Sequence, residues 1–174
     1  VGSVLGAGDQ TLNVTFTPTD TVNYNPATGS VQLQINKAPL SVTANSATKV
    51  YGDPLPGFTY GITSFVNGDT VAAVTGAASV GTTATSASSV GNYSIVVGLG
   101  TLAADNYSFV FQSGTLTIVK ANQTITFPAP APRTFGDAPF NLGASVDSPL
   151  AMQYASSNSS VATVDVGGLV TING

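Results

Sequence analysis

The chain repeats itself at an interval of 83 or 84 residues, and that interval limits what it can fold into. The segment Lys49-Val50-Tyr51-Gly52-Asp53-Pro54-Leu55-Pro56 returns as Arg133-Thr134-Phe135-Gly136-Asp137-Ala138-Pro139, with Tyr51 and Phe135 84 positions apart. Ile35-Asn36-Lys37-Ala38 returns as Ile118-Val119-Lys120-Ala121, at 83. The N-terminal stretch matches the middle at the same offset, Gly8 with Gly91, Leu12 with Ile95, Val14 with Val97, and Asn23-Tyr24 with Asn106-Tyr107. A unit of this length is the size of a seven- or eight-stranded β-sandwich with its own core. The offsets predict three pieces. Residues 1–37 are the C-terminal part of one module, 38–121 a complete module, and 122–174 the N-terminal part of a further one.

The polar residues say which secondary structure fills the unit. Charged residues are 7% of the chain, against roughly 25% in an ordinary soluble domain. All eight acids are Asp, no Glu is present, and Lys37, Lys49, Lys120 and Arg133 are the only bases. Helix surfaces are usually coated with Glu, Lys, Arg and Gln. Here Thr, Ser and Asn take those places and Val is prominent in the apolar set, which suits pleated strands and tight turns. Alternation points the same way. Leu12-Val14-Phe16, Val31-Leu33-Ile35, Leu40-Val42-Ala44, Phe58-Tyr60-Ile62, Tyr93-Ile95-Val97 and Tyr107-Phe109-Phe111 each form the apolar side of a predicted strand. One covered and one wet face per strand predicts an all-β chain of antiparallel sandwiches. Gly52-Asp53-Pro54, Asn67-Gly68-Asp69 and Ser113-Gly114 are the predicted turns. The junctions near Lys37-Ala38-Pro39 and Lys120-Ala121-Asn122 are too short for flexible linkers, so the modules are expected to join end to end.

Several function classes are excluded by inventory. A net charge of -4 argues against nucleic acid as a partner, since no basic cluster exists to meet phosphates. No apolar run approaches the roughly 20 residues of a membrane helix, so no membrane insertion is expected. Without His or Cys there is no Ser-His or Cys-His nucleophile pair and no ordinary zinc site, so no catalytic residue and no enzyme activity are expected. Calcium is the one cofactor to weigh, because Asp carboxylates and carbonyls at module junctions can bind it. Asp53, Asp69, Asp105 and Asp137 are the candidates, although no Asp-x-Asp-x-Asp-Gly loop is present and turn aspartates commonly close Asx-turns. A Lys–Asn isopeptide cross-link would need a buried lysine, and the recurring Lys37 and Lys120 sit at predicted strand ends. Tyr24 and Tyr107 allow two readings, a corner-type hydrogen bond at the sandwich edge or a core ring with a wet hydroxyl.

Four motifs in order carry a family resemblance: Ala38-Pro39-Leu40-Ser41-Val42-Thr43-Ala44, Lys49-Val50-Tyr51-Gly52-Asp53-Pro54, Gly61-Ile62-Thr63-Ser64-Phe65-Val66-Asn67-Gly68-Asp69, and Gly114-Thr115-Leu116-Thr117-Ile118-Val119-Lys120-Ala121. Over 38–121 the chain resembles the MBG-type bacterial immunoglobulin-like repeat. Tyr154-Ala155-Ser156-Ser157-Asn158-Ser159-Ser160-Val161-Ala162-Thr163-Val164, then Gly168-Leu169-Val170-Thr171-Ile172, is similar to immunoglobulin-like repeats of the invasin and intimin type. Thr15-Phe16-Thr17-Pro18-Thr19-Asp20 resembles the end of a related repeat. The resemblance implies tandem immunoglobulin-like sandwiches in a non-catalytic stalk, spacer or filament of a bacterial cell-surface or extracellular protein, with neighbouring modules of the same or identical chains as partners. Two alternatives stand beside it. The modules themselves bind a glycan or host protein, or the partial end pieces complete one another head to tail by strand addition.

Overall fold

Alternating apolar side chains become strands because a period of two puts one series on the covered face of a sheet. The computed structural model describes residues 5–174, which fall into two compact units, one ending at Lys120 and one spanning Ala121–Gly174. In the first unit, β1 (Gly8–Phe16) and β2 (Ala27–Ile35) form an antiparallel hairpin with Leu12 opposite Val31 and Gly8 opposite Ile35. Its connection is tied by Asp20. The carboxylate accepts the Asn23 side-chain amide at 2.7 Å and the backbone N–H groups of Asn23 and Val22 at 3.1 Å each. These bonds, that of the Asn23 side chain foremost, hold the Asp20 carboxyl below the ordinary carboxylate range.

The rest of that unit is a sandwich. It contains β3 (Ala38–Ala44), β4 (Ala47–Val50), β5 (Tyr60–Thr63), β6 (Ser79–Thr82), β7 (Gly91–Gly98), β8 (Tyr107–Gln112) and β9 (Gly114–Val119). One sheet has the order β5-β3-β8 and the other β4-β9-β7-β6. Val42 and Ala44 from the first meet Ile95, Val97, Leu116 and Ile118 from the second, all buried, with Phe58, Tyr60, Ile62 and Phe109 closing the sides. Each such side chain contributes roughly 1.5–3 kcal/mol on full burial, which makes this the core that holds the unit.

Two pairings depart from the antiparallel expectation: β3 lies parallel to β8, and β4 parallel to β9. Both arise because a strand changes sheets midway. The first strand leaves one sheet after Ala44 and enters the other at Ala47. The last one does the same between Gln112 and Gly114. The two crossings touch. A Cβ on Gly114 would lie 2.5 Å from the Ala44 carbonyl oxygen, so only glycine admits the crossing. Ser113-Gly114 is therefore a sheet switch and not the predicted turn. The other two predicted turns form, with positive φ at Gly52, Asn67 and Gly68.

The second unit has β10 (Ile125–Thr126) paired with β12 (Ser145–Val146), and a sheet of β11 (Phe140–Asn141), β14 (Leu169–Ile172) and β13 (Ala162–Val164) in the order β11-β14-β13. The Tyr51 and Phe135 motifs fold into the same turn. The Asp53 N–H reaches the Val50 carbonyl at 3.2 Å and the Asp137 N–H reaches that of Thr134 at 3.0 Å, with Gly52 and Gly136 both at positive φ.

Candidate functional site

The structure does not bring the four candidate aspartates together. Asp53 and Asp137 occupy the matched turns, and the Asp137 carboxylate accepts the Thr134 N–H at 3.0 Å. Asp105 is exposed in the loop before β8. Asp69 follows the Asn67-Gly68 turn and accepts the Tyr107 hydroxyl at 2.6 Å. Among the described residues no group of three or more Asp side chains gathers where it could hold a metal ion.

What the structure does build is a joint between the hairpin and the sandwich. Only Asn36 and Lys37 separate β2 from β3. Asn106, just before β8, serves both sides of this joint. Its side-chain oxygen accepts the Ala7 N–H at 2.8 Å, and its backbone carbonyl accepts the Ala38 N–H at 3.0 Å. The Lys37 ammonium reaches the Ala104 carbonyl at 2.9 Å. Gly6 passes close by, where a Cβ would stand 3.0 Å from the Asn106 amide oxygen. A cleft of about 380 Å³ remains beside the joint, lined by Leu5, Ile35, Asn67, Asp69, Asn106 and Tyr107 among others.

Tyr107 braces the joint from behind. It is 2% exposed, its ring meets Phe65 edge-on at 5.8 Å, and its hydroxyl donates to Asp69 and lies 3.2 Å from the Val66 carbonyl. Neither reading of this tyrosine holds as stated: the hydroxyl is bonded instead of wet, yet its partners lie 38 and 41 positions upstream and not the few residues of a corner-type bond. The bond to Asp69, then burial, pushes the phenol above its ordinary value. Tyr24 occupies the matching place in the hairpin yet is 64% exposed. Its neighbour Asn23 bonds Asp20 instead of a module junction.

Sequence reasoning missed one buried base. Lys49 is 6% exposed, and its ammonium meets three backbone carbonyls, those of Asp53 at 2.8 Å, Ser86 at 3.1 Å and Val50 at 3.5 Å. A buried ammonium needs its donors engaged, and this arrangement engages all three. It fastens the glycine turn to the loop before β7. The signal was available, since Arg133 holds the matching position; there the guanidinium covers the Phe140 ring at 4.3 Å instead. Asn106 was legible only as half of a repeated Asn-Tyr pair, because its two partners lie at residues 7 and 38.

The side chains gathered at this joint brace it. Among the described residues no helix is long and apolar enough to cross a membrane. Residues 40–117 match the MBG domain (YGX type), and residues 148–174 match the immunoglobulin-like domain of intimin, both non-catalytic and the second pointing to a bacterial surface protein. No curated protein and no solved structure matches the chain. Residues 40–117 are therefore similar to the MBG domain of the YGX type, and the segment after them is similar to the intimin immunoglobulin-like domain, which fits a bacterial immunoglobulin-like repeat.

Proposed function

We propose that this segment is a non-catalytic spacer in a bacterial surface or secreted protein, a stalk whose modules transmit position because their joints do not swivel. The observation that carries the reading is the Asn106 joint. One side chain and its own carbonyl hold Ala7 and Ala38, with Lys37 anchored beside them, across a link of two residues. Net hydrogen bonds of this kind contribute about 0.5–1.5 kcal/mol each; the Ala7–Asn106 and Lys37–Ala104 bonds together favour one orientation over free rotation, while the Ala38–Asn106 bond continues the β3–β8 pairing of the sandwich itself. The module over residues 38–120 buries its own core, and repetition of such a unit lets length grow without new long-range contacts. The lack of Trp fits a spacer better than a glycan platform.

Residual dipolar couplings test the joint. Amides of residues 8–35 and 38–119 are expected to fit one alignment tensor in the native chain and two in the double variant Lys37→Ala/Asn106→Ala. Two tensors in the native chain would defeat the spacer reading.

A further inference from the structure

The sides of the complete module carry no exposed charge. Between Asp69 and Asp105 the sequence has no Asp, Lys or Arg, and that stretch supplies both β6 and β7. Within the seven strands of the module Lys49 is the one charged residue, and it is buried. Asp53, Asp69, Asp105 and Lys120 stand in turns, in the loop before β8 or just past β9. Charge on and beside edge strands is what ordinarily keeps the sheets of soluble proteins from pairing with one another. The sides of this module lack it.

The edge strand β6 lies in the middle of this neutral stretch. Among the described residues no strand pairs with its outer side, while its inner side runs along β7 without a bulge, from Ser79 opposite Gly98 to Thr82 opposite Ile95. It contains no proline and no charge. The amide just ahead of it, that of Ala78, donates to the Tyr60 hydroxyl at 3.0 Å, so the open edge starts at β6 itself. Val80 packs inward on the core, which leaves Ser79 and Gly81 on the outer face with Gly98 and with Val96, which is 56% exposed. The two glycines leave a shallow groove of about 420 Å³ at that place. Nothing inside the module requires glycine at 81, because its φ is not left-handed and a Cβ there would meet nothing within 4 Å. A strand-interior glycine weakens its strand and often marks the approach of another backbone. Gly61 in β5 is equally open, but its cross-strand neighbour Thr43 belongs to a polar row with Ser41 and Gln112, where Gly81 has the exposed Val96.

We infer that two copies of this chain associate side by side, with β6 of one pairing antiparallel to β6 of the other about a twofold axis and joining two sheets into one. The occupant is a second copy for two reasons. An antiparallel strand edge is complementary to itself, since the outward N–H and C=O groups of one copy meet the same groups of the other. Copies that each carry a net charge of -4 also repel one another least where neither presents a charge, and β6 with β7 is the widest such place in the sequence. An edge of four residues pairs weakly, so the association belongs to high local concentration, as on a crowded surface.

Amide exchange of the full chain, read residue by residue from dilute to concentrated solution, tests this. The outward amides within Ser79–Thr82 are expected to slow several-fold as concentration rises. Gly81→Asp is expected to abolish that slowing, because it sets a carboxylate on each of the two paired edges. Gly61→Asp is the control: it adds the same charge at an equally open glycine and is expected to leave the slowing in place. Exchange in β6 that ignores concentration in the native chain would overturn the inference whatever the variants do, and would leave the edge to another partner or to none. Slowing that survives Gly81→Asp, or that both substitutions abolish alike, would overturn it as well. Neither substitution touches Asn106, so failure here leaves the spacer reading standing.

Discussion

Tyr24 and Tyr107 share a dipeptide and a place in the repeat, yet only one is a structural brace. The difference lies in what each can reach. Tyr107 finds Asp69 and the Val66 carbonyl within its own module, while Tyr24 points from a hairpin without that turn. Because the folded phenol is raised above its unfolded value of about 10, the folded state keeps the proton longer. Its contribution is complete below about pH 10 and is lost as pH climbs through the raised value. Denaturant unfolding between about pH 8 and pH 11 should show stability falling at the alkaline end, and Tyr107→Phe should flatten that fall. At neutral pH the same variant should melt a few degrees lower, about the effect of one lost hydrogen bond in a small domain.

At the scale of elements, alternation marked the apolar series that became β1, β2, β3, β7 and β8, since period-two burial is written locally. The covered face expected of each series forms in β3 and β7 but not in the hairpin, where Leu12, Val14, Phe16, Val31 and Leu33 are exposed because no second sheet among the described residues packs on them; Phe111 is 38% exposed at the end of its strand. The sheet switches were not legible. Leu40-Val42-Ala44 and Ala47–Val50 read alike whether one sheet or two receives them, and the parallel neighbours lie some 70 residues away. Gly114 looked like a turn glycine because glycine serves both purposes. Its role is close approach, so Gly114→Val should cost the module about 1–3 kcal/mol or more as the side chain meets the Ala44 carbonyl. The same residue type at Val31 is tolerated in the hairpin, where no strand crosses. Thermal unfolding of the Gly114→Val variant checks this, and an unchanged midpoint would contradict the crossing.

Across the whole molecule, burial is concentrated in residues 38–120. Leu40, Val42, Ile95, Leu116 and Ile118 are almost fully covered, whereas no apolar side chain of β1 or β2 is buried and the second unit buries only Val170 of its large apolar residues. Opening free energy follows covered apolar surface, so amide exchange in the isolated chain should be slowest in β3, β7 and β9 and fast in β1, β2 and β10–β14. Equal protection throughout would contradict that ordering.

The sequence by itself determined the period, the all-β character, the turn glycines and the absence of catalytic inventory, because these follow from local spacing and residue chemistry. Only the tertiary structure decided that Lys49 is buried, that Asn106 serves two sides of a joint and that strands change sheets. Each of those depends on which backbone carbonyl or amide comes to lie beside a side chain, and the residues involved are 37, 69 or 99 positions apart. Chain spacing carries no record of such meetings. The packing of two sheets across one core creates them.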